Sequence, residues 1–356
     1  MVKYVVTGGC GFLGSHIVKC ILKYAPEVTE VVAYDIINIS HIMTMWSSKL
    51  KVVRGDVMDV MALSKAVDGA DVVIHTAGIV DVWYRHTDDE IYRVNVSGTK
   101  NVLRCCINAG VQVLVNTSSM EVVGPNTTSG VFVRGGERTP YNTVHDHVYP
   151  LSKDRAEKLV KHYTGVAAAP GMPALKTCSL RPTGIYGEGC DLLEKFFHDT
   201  VNAGNVAYGG SPPDSEHGRV YVGNVAWMHL LAARVLLAGG ESAHKVNGEA
   251  FFCYDDSPYM SYDAFNAELF EDRGFGYVYV PYWVMKPMAV YNDLKRKFLG
   301  CFGVKRSPIL NSYTLALART SFTVKTSKAR RMFGYMPLYE WSEAKRRTKD
   351  WISTLK

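Results

Sequence analysis

Short runs of consecutive apolar, mostly β-branched residues recur through the first half of the chain, separated by stretches whose apolar positions fall three and four apart. The first kind predicts strands near 3–7, 31–35, 51–54, 71–75 and 112–117, the second helices near 12–24, 59–67 and 88–108. Alternation of this type builds a parallel sheet with right-handed crossover helices. A strand-like run at Lys176–Leu180 and helical runs at Leu192–Asn202 and Asn224–Leu237, the last with Asn224 as its expected N-cap, carry the sheet past the midpoint. From Cys190 onward Pro, Gly and aromatics thicken and the alternation fades. The expected architecture is α/β: a doubly wound parallel sheet over residues 1–189, and a smaller substrate-binding lobe over 190–356 that interleaves with the sheet.

Composition narrows the class. At 356 residues and 47% hydrophobic, the chain can bury a large core. Its net charge of +6 is modest and its basic residues form no long stripe, so nucleic acid is not an expected partner. Two basic clusters, Lys295-Arg296-Lys297 and Lys345-Arg346-Arg347 with Lys349, read first as solvated helix faces, with contact to anionic lipid as the alternative. Eight cysteines without a Cys-x-x-Cys, two of them (Cys105 and Cys106) inside a helical pattern, suit a reducing compartment. The opening strand leaves no room for a secretory signal, so a cytoplasmic protein is expected, with peripheral association to the endoplasmic reticulum membrane as the alternative. Asn-x-Ser/Thr triplets at Asn38, Asn95, Asn116 and Asn126 are then chance matches. The most apolar late stretch, Tyr277–Tyr291, is broken by Pro281, Lys286 and Pro287 and is too short to span a bilayer; it suits a membrane-grazing segment or an apolar pocket wall.

Candidate chemistry begins at the first strand-to-helix junction, Thr7-Gly8-Gly9-Cys10-Gly11-Phe12-Leu13-Gly14. Gly8 allows the tight turn, Gly11 lets backbone approach a pyrophosphate, and Gly14 lets the helix that starts at Phe12-Leu13 pack closely on its strand. The helix N-terminus then faces the phosphates. Asp35, at the end of the second strand and about 20 residues beyond, supplies the acceptor for a ribose diol. A carboxylate there repels a 2′-phosphate, and no Arg follows among Ile36, Ile37 and Asn38, so NAD is expected over NADP. This is a Rossmann-type site. Gly55-Asp56-Val57 after the third strand offers Asp56 either to the adenine amino group or as a helix N-cap. After the fourth strand, His75-Thr76-Ala77-Gly78 lets Ala77 and Gly78 approach the cofactor, and His75 reads as a core histidine rather than a base.

Tyr149 and Lys153 stand four apart at a helix start, about thirty residues after Ser118-Ser119. At that spacing a phenol and an ammonium share one helix face, and the cation favours the phenolate. With 21 Tyr in the chain, about one such pair arises by chance, so position decides. Here the pair follows a fifth strand ending in Asn116-Thr117-Ser118-Ser119, which puts hydroxyls beside the expected nicotinamide.

Four segments carry a family resemblance: Thr117-Ser-Ser-Met-Glu-Val-Val-Gly-Pro125, Tyr149-Pro-Leu-Ser-Lys153, Leu180-Arg-Pro-Thr-Gly-Ile-Tyr-Gly-Glu-Gly189 and Arg219-Val-Tyr-Val-Gly-Asn-Val-Ala226. Through them the chain resembles an extended short-chain dehydrogenase/reductase over nearly its whole length. Within that group it resembles the 3β-hydroxysteroid dehydrogenase/Δ5→Δ4 isomerase family, above all the members carried by large DNA viruses. The resemblance implies NAD-dependent oxidation of a 3β-hydroxy-Δ5-steroid in steroid hormone biosynthesis. It makes Tyr149 the general acid/base, Lys153 the holder of the nicotinamide ribose, and Ser119 the residue that orients the substrate oxygen, five residues before Gly124. Asn95 matches a polar position over the cofactor, or else is a helix-interior Asn bonded to backbone. Related enzymes often dimerise, so a homodimer is compatible.

For the isomerisation the resemblance points to Asp255 in Phe251-Phe-Cys-Tyr254-Asp255-Asp256-Ser-Pro258. It expects a tyrosine where this chain has Phe251, so the proton donor is missing or has moved to Tyr254. Asp255 and Asp256 read equally as turn or cap residues. An aromatic and Met-rich second half (Phe196, Phe197, Trp227, Tyr282, Trp283, Met285, Met288) suits a flat apolar substrate or an ordinary core. The rival readings are a related dehydrogenase for a 4-carboxysterol, a UDP-sugar or a flavonoid-type carbonyl, and a non-catalytic NAD-sensing protein. The intact Ser119, Tyr149 and Lys153 set speaks against the last.

Overall fold

The computed structural model of the protein describes residues 2–37, 47–128 and 130–356; Asn38, one of the positions in the cofactor argument, lies outside them. Each apolar run forms a strand: β1 (Val2–Thr7), β2 (Val28–Asp35), β3 (Leu50–Arg54), β4 (Val72–His75), β5 (Val113–Thr117), β6 (Lys176–Pro182) and β7 (Glu249–Cys253). Together they make a seven-stranded sheet in the order β7-β6-β5-β4-β1-β2-β3, every neighbouring pair parallel. The chain winds outward from β1 to β3, then returns to β4 on the other side of β1. The carboxyl ends of β1 and β4 therefore flank a topological switch point, where open sheets of this kind leave a crevice.

Side chains leave the strands on alternate faces, and both faces are covered. Tyr4 and Val6 enter one core, packed by helix α1 (Phe12–Tyr24) and a later long helix; Val5 enters the other, packed by α2 (Val60–Val67), α3 (Thr99–Asn108) and α4 (Val148–His162). That later helix, α5 (Val222–Ala238), lies beside α1 and is apolar nearly all round because it is buried on both sides. Two observations refine the predicted elements. The helix expected over 88–108 is interrupted by a π-type turn at Arg93–Gly98, which carries Asn95. Asn224 is not an N-cap: α5 starts after Tyr221, and Asn224 is fully buried inside its first turn.

Outside the main sheet, the described residues form three small parallel ladders, Gly184–Tyr186 with Arg219–Tyr221, Val206–Gly209 with Gly276–Tyr279, and Phe132–Gly135 with Phe322–Val324. Two of them start from segments that leave the carboxyl ends of β6 and β5. Helices α6 (Tyr282–Gly300) and α7 (Ser312–Arg319) pack on each other, and Asn311 at the head of α7 donates to the Val82 carbonyl in the loop after β4.

Candidate active site

At the first crevice wall, Gly8 has a φ of +70°, and a Cβ there would meet the Ala77 backbone nitrogen at 2.7 Å. A Cβ on Gly14 would stand 1.9 Å from the Gly8 carbonyl oxygen, so the turn closes only with hydrogen at both positions. Gly11 is the N-cap of α1 and brings no side-chain hydrogen bond; a Cβ there would meet nothing closer than 3.4 Å. The first N–H groups of α1, from Phe12, Leu13 and Gly14, are thus left for an anion, in a positive helix field. Asp35 ends β2 at the same place. One oxygen accepts from the Cys10 N–H (2.9 Å) and the other from Ile37 (3.2 Å), which leaves lone pairs for a diol. The cradle fits a dinucleotide.

Asp56 accepts from the Met58 N–H at 2.9 Å, and the cap of α2 is Asp59, which takes the N–H groups of Met61 and Ala62. The N-cap alternative for Asp56 is thereby excluded, while its neighbour Val57 is buried against Gly98. Ala77 and Gly78 continue β4 into the crevice, and a Cβ on Gly78 would lie 3.0 Å from Asn95 Oδ1 and 4.0 Å from Lys153 Nζ. Asn95 joins two walls: it accepts from the Ile79 N–H (2.7 Å) and donates to the Ile79 carbonyl and Ser152 Oγ (2.9 Å each). His75 is held between Thr7 Oγ1 (2.7 Å) and Thr99 Oγ1 (2.9 Å); burial depresses its pKa to about 3, so it is a neutral core residue.

Helix α4 starts with His147, whose Nδ1 accepts the Tyr149 N–H at 3.2 Å, and Pro150 sits in the first turn, where its missing N–H costs nothing. This start sets Tyr149 and Lys153 on one face. Tyr149 is buried and Lys153 partly buried, and the Ser119 hydroxyl lies near enough to the Tyr149 phenol to act on it. Lys153 donates to the Thr117 carbonyl at 2.6 Å, which ties it to the end of β5. Burial brings its pKa down to about 8, opposed by the Glu157 carboxylate. The Tyr149 phenol is pushed above its ordinary value, mainly by burial and next by the Glu121 carboxyl, while the Ser119 bond works the other way. Lys153 is not among the groups that set the phenol in this arrangement, contrary to the depression expected from the spacing.

Several groups around Tyr149 were not singled out from the sequence. Glu121, two residues past Ser119, is a partly buried carboxyl raised by loss of water to about 7 and accepts from the Tyr313 hydroxyl (3.1 Å). Tyr313, from α7, and Tyr84 flank the His147 ring at 4.9 Å each. Glu121 and Tyr313 lie nearly 200 residues apart, and only the docking of α7 joins them. Glu157 and Arg181 also belong here; the first was readable as the residue one turn after Lys153.

Tyr254 and Asp255 are placed differently. Asp255 accepts from the Tyr221 N–H (2.9 Å), Asn224 Nδ2 (2.8 Å) and the Ser257 N–H (3.0 Å), and Tyr254 donates to the Ser257 carbonyl while stacking on Tyr259. Among the described residues neither shares a hydrogen bond with Ser119, Tyr149 or Lys153. Phe251 faces Phe333 in the sheet core. The late aromatics divide: Phe196, Phe197 and Trp227 belong to the core, whereas Tyr282, Trp283 and Met288 are exposed on α6.

The model of the 3-beta hydroxysteroid dehydrogenase/isomerase family matches residues 5–281. The chain is 99% identical to the uncharacterized protein 052L of Frog virus 3 (isolate Goorha), over the whole of both. It is 45% identical to 3 beta-hydroxysteroid dehydrogenase type 7 of Mus musculus, covering 99% of this chain and 96% of the relative. It is 40% identical to the 3 beta-hydroxysteroid dehydrogenase/Delta 5-->4-isomerase of Monkeypox virus, over 99% of each. Among solved structures, MoeE5 in complex with UDP-glucuronic acid and NAD superposes with a TM-score of 0.71 over 99% of both chains at 19% identity, a likeness of fold. The chain therefore belongs to the 3-beta hydroxysteroid dehydrogenase/isomerase family.

Proposed function

We propose that this member of an NAD-dependent oxidoreductase family oxidises the 3β-hydroxyl of a Δ5-steroid to the 3-ketone, with Ser119, Tyr149 and Lys153 as the reacting set. The carrying observation is their meeting at the carboxyl end of β5, across the switch-point crevice from the Gly8–Gly14 cradle and Asp35. NAD, when bound, accepts the carbinol hydride. Tyr149 takes the hydroxyl proton, Ser119 holds the substrate oxygen against the phenol, and Lys153, tied to the end of β5, is placed to hold the nicotinamide ribose. Burial of Ser119 and Tyr149 limits water at the proton transfer. Steroid chemistry is supported by the two relatives named for it and by Arg219. That basic group, which a nucleoside diphosphate would need, is buried between the rings of Tyr262 and Phe265 at 5.2 and 5.0 Å.

Support for an accompanying isomerisation is thinner, because Asp255 is engaged by three donors and Phe251 has no proton to give. Incubation of the purified protein and NAD with pregnenolone and with dehydroepiandrosterone, following NADH and the conjugated enone separately, tests both steps. NADH without enone confirms oxidation alone. No NADH with either steroid, together with turnover of a UDP-sugar, overturns the substrate.

A second observation bears on where the substrate is met. Trp283, Tyr291, Leu294 and Phe298 lie along one exposed stripe of α6 beside Lys286, Lys295 and Lys297, although no helix among the described residues is long and apolar enough to cross a membrane. We read the stripe as a peripheral contact with anionic lipid. Flotation with phosphatidylserine vesicles tests it: Trp283→Ser with Phe298→Ser should abolish binding seen with the unaltered chain, and unchanged flotation contradicts it.

A further inference from the structure

The two adjacent serines at the end of β5 have different partners. Ser118 donates its hydroxyl to Glu157 Oε2 at 2.6 Å, and its backbone N–H goes to the Leu180 carbonyl at 2.7 Å. Glu157 also takes a two-pronged pair from Arg181, Nε to Oε2 at 2.9 Å and Nη2 to Oε1. The side chains of Glu157 and Arg181 are only 13% and 14% exposed, and the guanidinium lies 5.7 Å from the Phe252 ring. Three donors thus converge on one carboxylate, which sits one helical turn past Lys153 on the same face of α4. Buried ion pairs contribute little net stability against an apolar replacement, so packing alone does not account for the arrangement.

We infer that Glu157, clamped by Arg181, is a positioning residue for the reacting centre: it engages Ser118 so that Ser119 is the serine left to face Tyr149, and its carboxylate keeps Lys153 in the charged form. Glu157 is the group that opposes the effect of burial on Lys153. The other ionisable groups around the lysine are His75 on β4, which burial keeps neutral, and Tyr149, which is raised. Glu157 is therefore the anion on which the lysine's charge depends. The inference rests on the proposed oxidation only for its kinetic readout.

Two measurements on Glu157→Gln test it, a variant that keeps shape and hydrogen-bonding capacity but removes the charge. The first needs no substrate. Burial holds Lys153 near pH 8, below its ordinary value, so the unaltered protein should gain stability as pH rises through 8, where the folded lysine has lost a proton that the unfolded chain still holds. In Glu157→Gln this rise should begin about one pH unit lower. The second is the pH profile of kcat for steroid oxidation, whose alkaline limb should move down by a similar amount, with activity at neutral pH lower by about twofold. Arg181→Lys, which keeps the charge and loses the fork, should shift both readouts the same way by less. Ser118→Ala, which removes the hydroxyl that Glu157 engages, should lower kcat by about threefold or more and leave both pH midpoints in place. A Glu157→Gln protein that is less stable by the same amount at every pH, with both midpoints unmoved, overturns the inference. A shifted stability midpoint in a protein whose unaltered form oxidises no steroid upholds the inference and removes the substrate reading instead.

Discussion

Asp255, which is buried, and Glu121, which is partly buried, are both carboxyls lifted by loss of water, yet they are furnished in opposite ways. Asp255 sits where β7 ends against the start of α5, and three N–H donors converge on it from Tyr221, Asn224 and Ser257. Glu121 faces the Tyr149 edge of the sheet and accepts one side-chain bond, from the Tyr313 phenol. A carboxylate ringed by donors is stabilised as an anion and fixed in place, which suits a joint between a strand and a helix. A carboxyl with one phenol for company can change protonation near neutrality. The difference extends to the surroundings: Asn224 bridges Asp255 to the Tyr339 carbonyl, whereas Glu121 and Ser119 both act on the Tyr149 phenol. Residue type alone does not mark chemistry; the number of partners already satisfied does.

The largest expected effect lies at the reacting edge. Tyr149→Phe should lower the rate of NADH formation by about 10²–10⁴-fold, since only the transferable proton is lost. The melting temperature and NAD titration should stay close to those of the unaltered chain. At the other edge the pattern should invert. Asp255→Ala leaves buried N–H groups of Tyr221, Asn224 and Ser257 without their acceptor and should cost about 3 kcal/mol in urea unfolding. Asp255→Asn should cost less and leave the ratio of enone to NADH unchanged. An Asp255→Asn protein of full stability that loses enone formation alone would break the comparison. Lys153→Met comes next: it removes a partly buried cation and should raise stability at pH 7 by about 2 kcal/mol while abolishing turnover. The sign follows from the depressed lysine. The burden is complete below pH 8 and fades between 8 and the ordinary lysine value, so the advantage of the variant should vanish in alkali. The smallest effect is at the cofactor cradle, where Asp35→Ala should weaken NAD about tenfold and NADP less, by fluorescence titration.

Legibility from sequence followed the range of the interaction. The glycine turn, Asp35 and the Tyr149–Lys153 face depend on neighbours within a few positions or on strand ends, and the structure brings Gly8, Gly14 and Asp35 to one crevice and Ser119, Tyr149 and Lys153 to its far side. All seven sheet strands except β7 were visible as apolar runs. Where a side chain's partner was far away, local rules misassigned it. Asn224 has the composition of an N-cap but serves Asp255 and Tyr339, more than 30 and more than 110 residues distant. Asp56 ceded its expected cap to Asp59, three positions on. Glu121 and Arg181 stand inside the family segments without a role there, and Tyr313 and Glu157 outside them, because each finds its partner only when α4, α7 and β6 close around the end of β5. The exposed aromatics of α6 were read as core or pocket because hydrophobicity does not report which face a helix turns outward.

The most direct test is a single assay of three proteins, unaltered, Tyr149→Phe and Asp255→Asn, each folded and shown to bind NAD, with dehydroepiandrosterone as substrate and NADH and enone recorded together. The account predicts NADH from the unaltered chain and from Asp255→Asn, and none from Tyr149→Phe. NADH from Tyr149→Phe at the unaltered rate would contradict it.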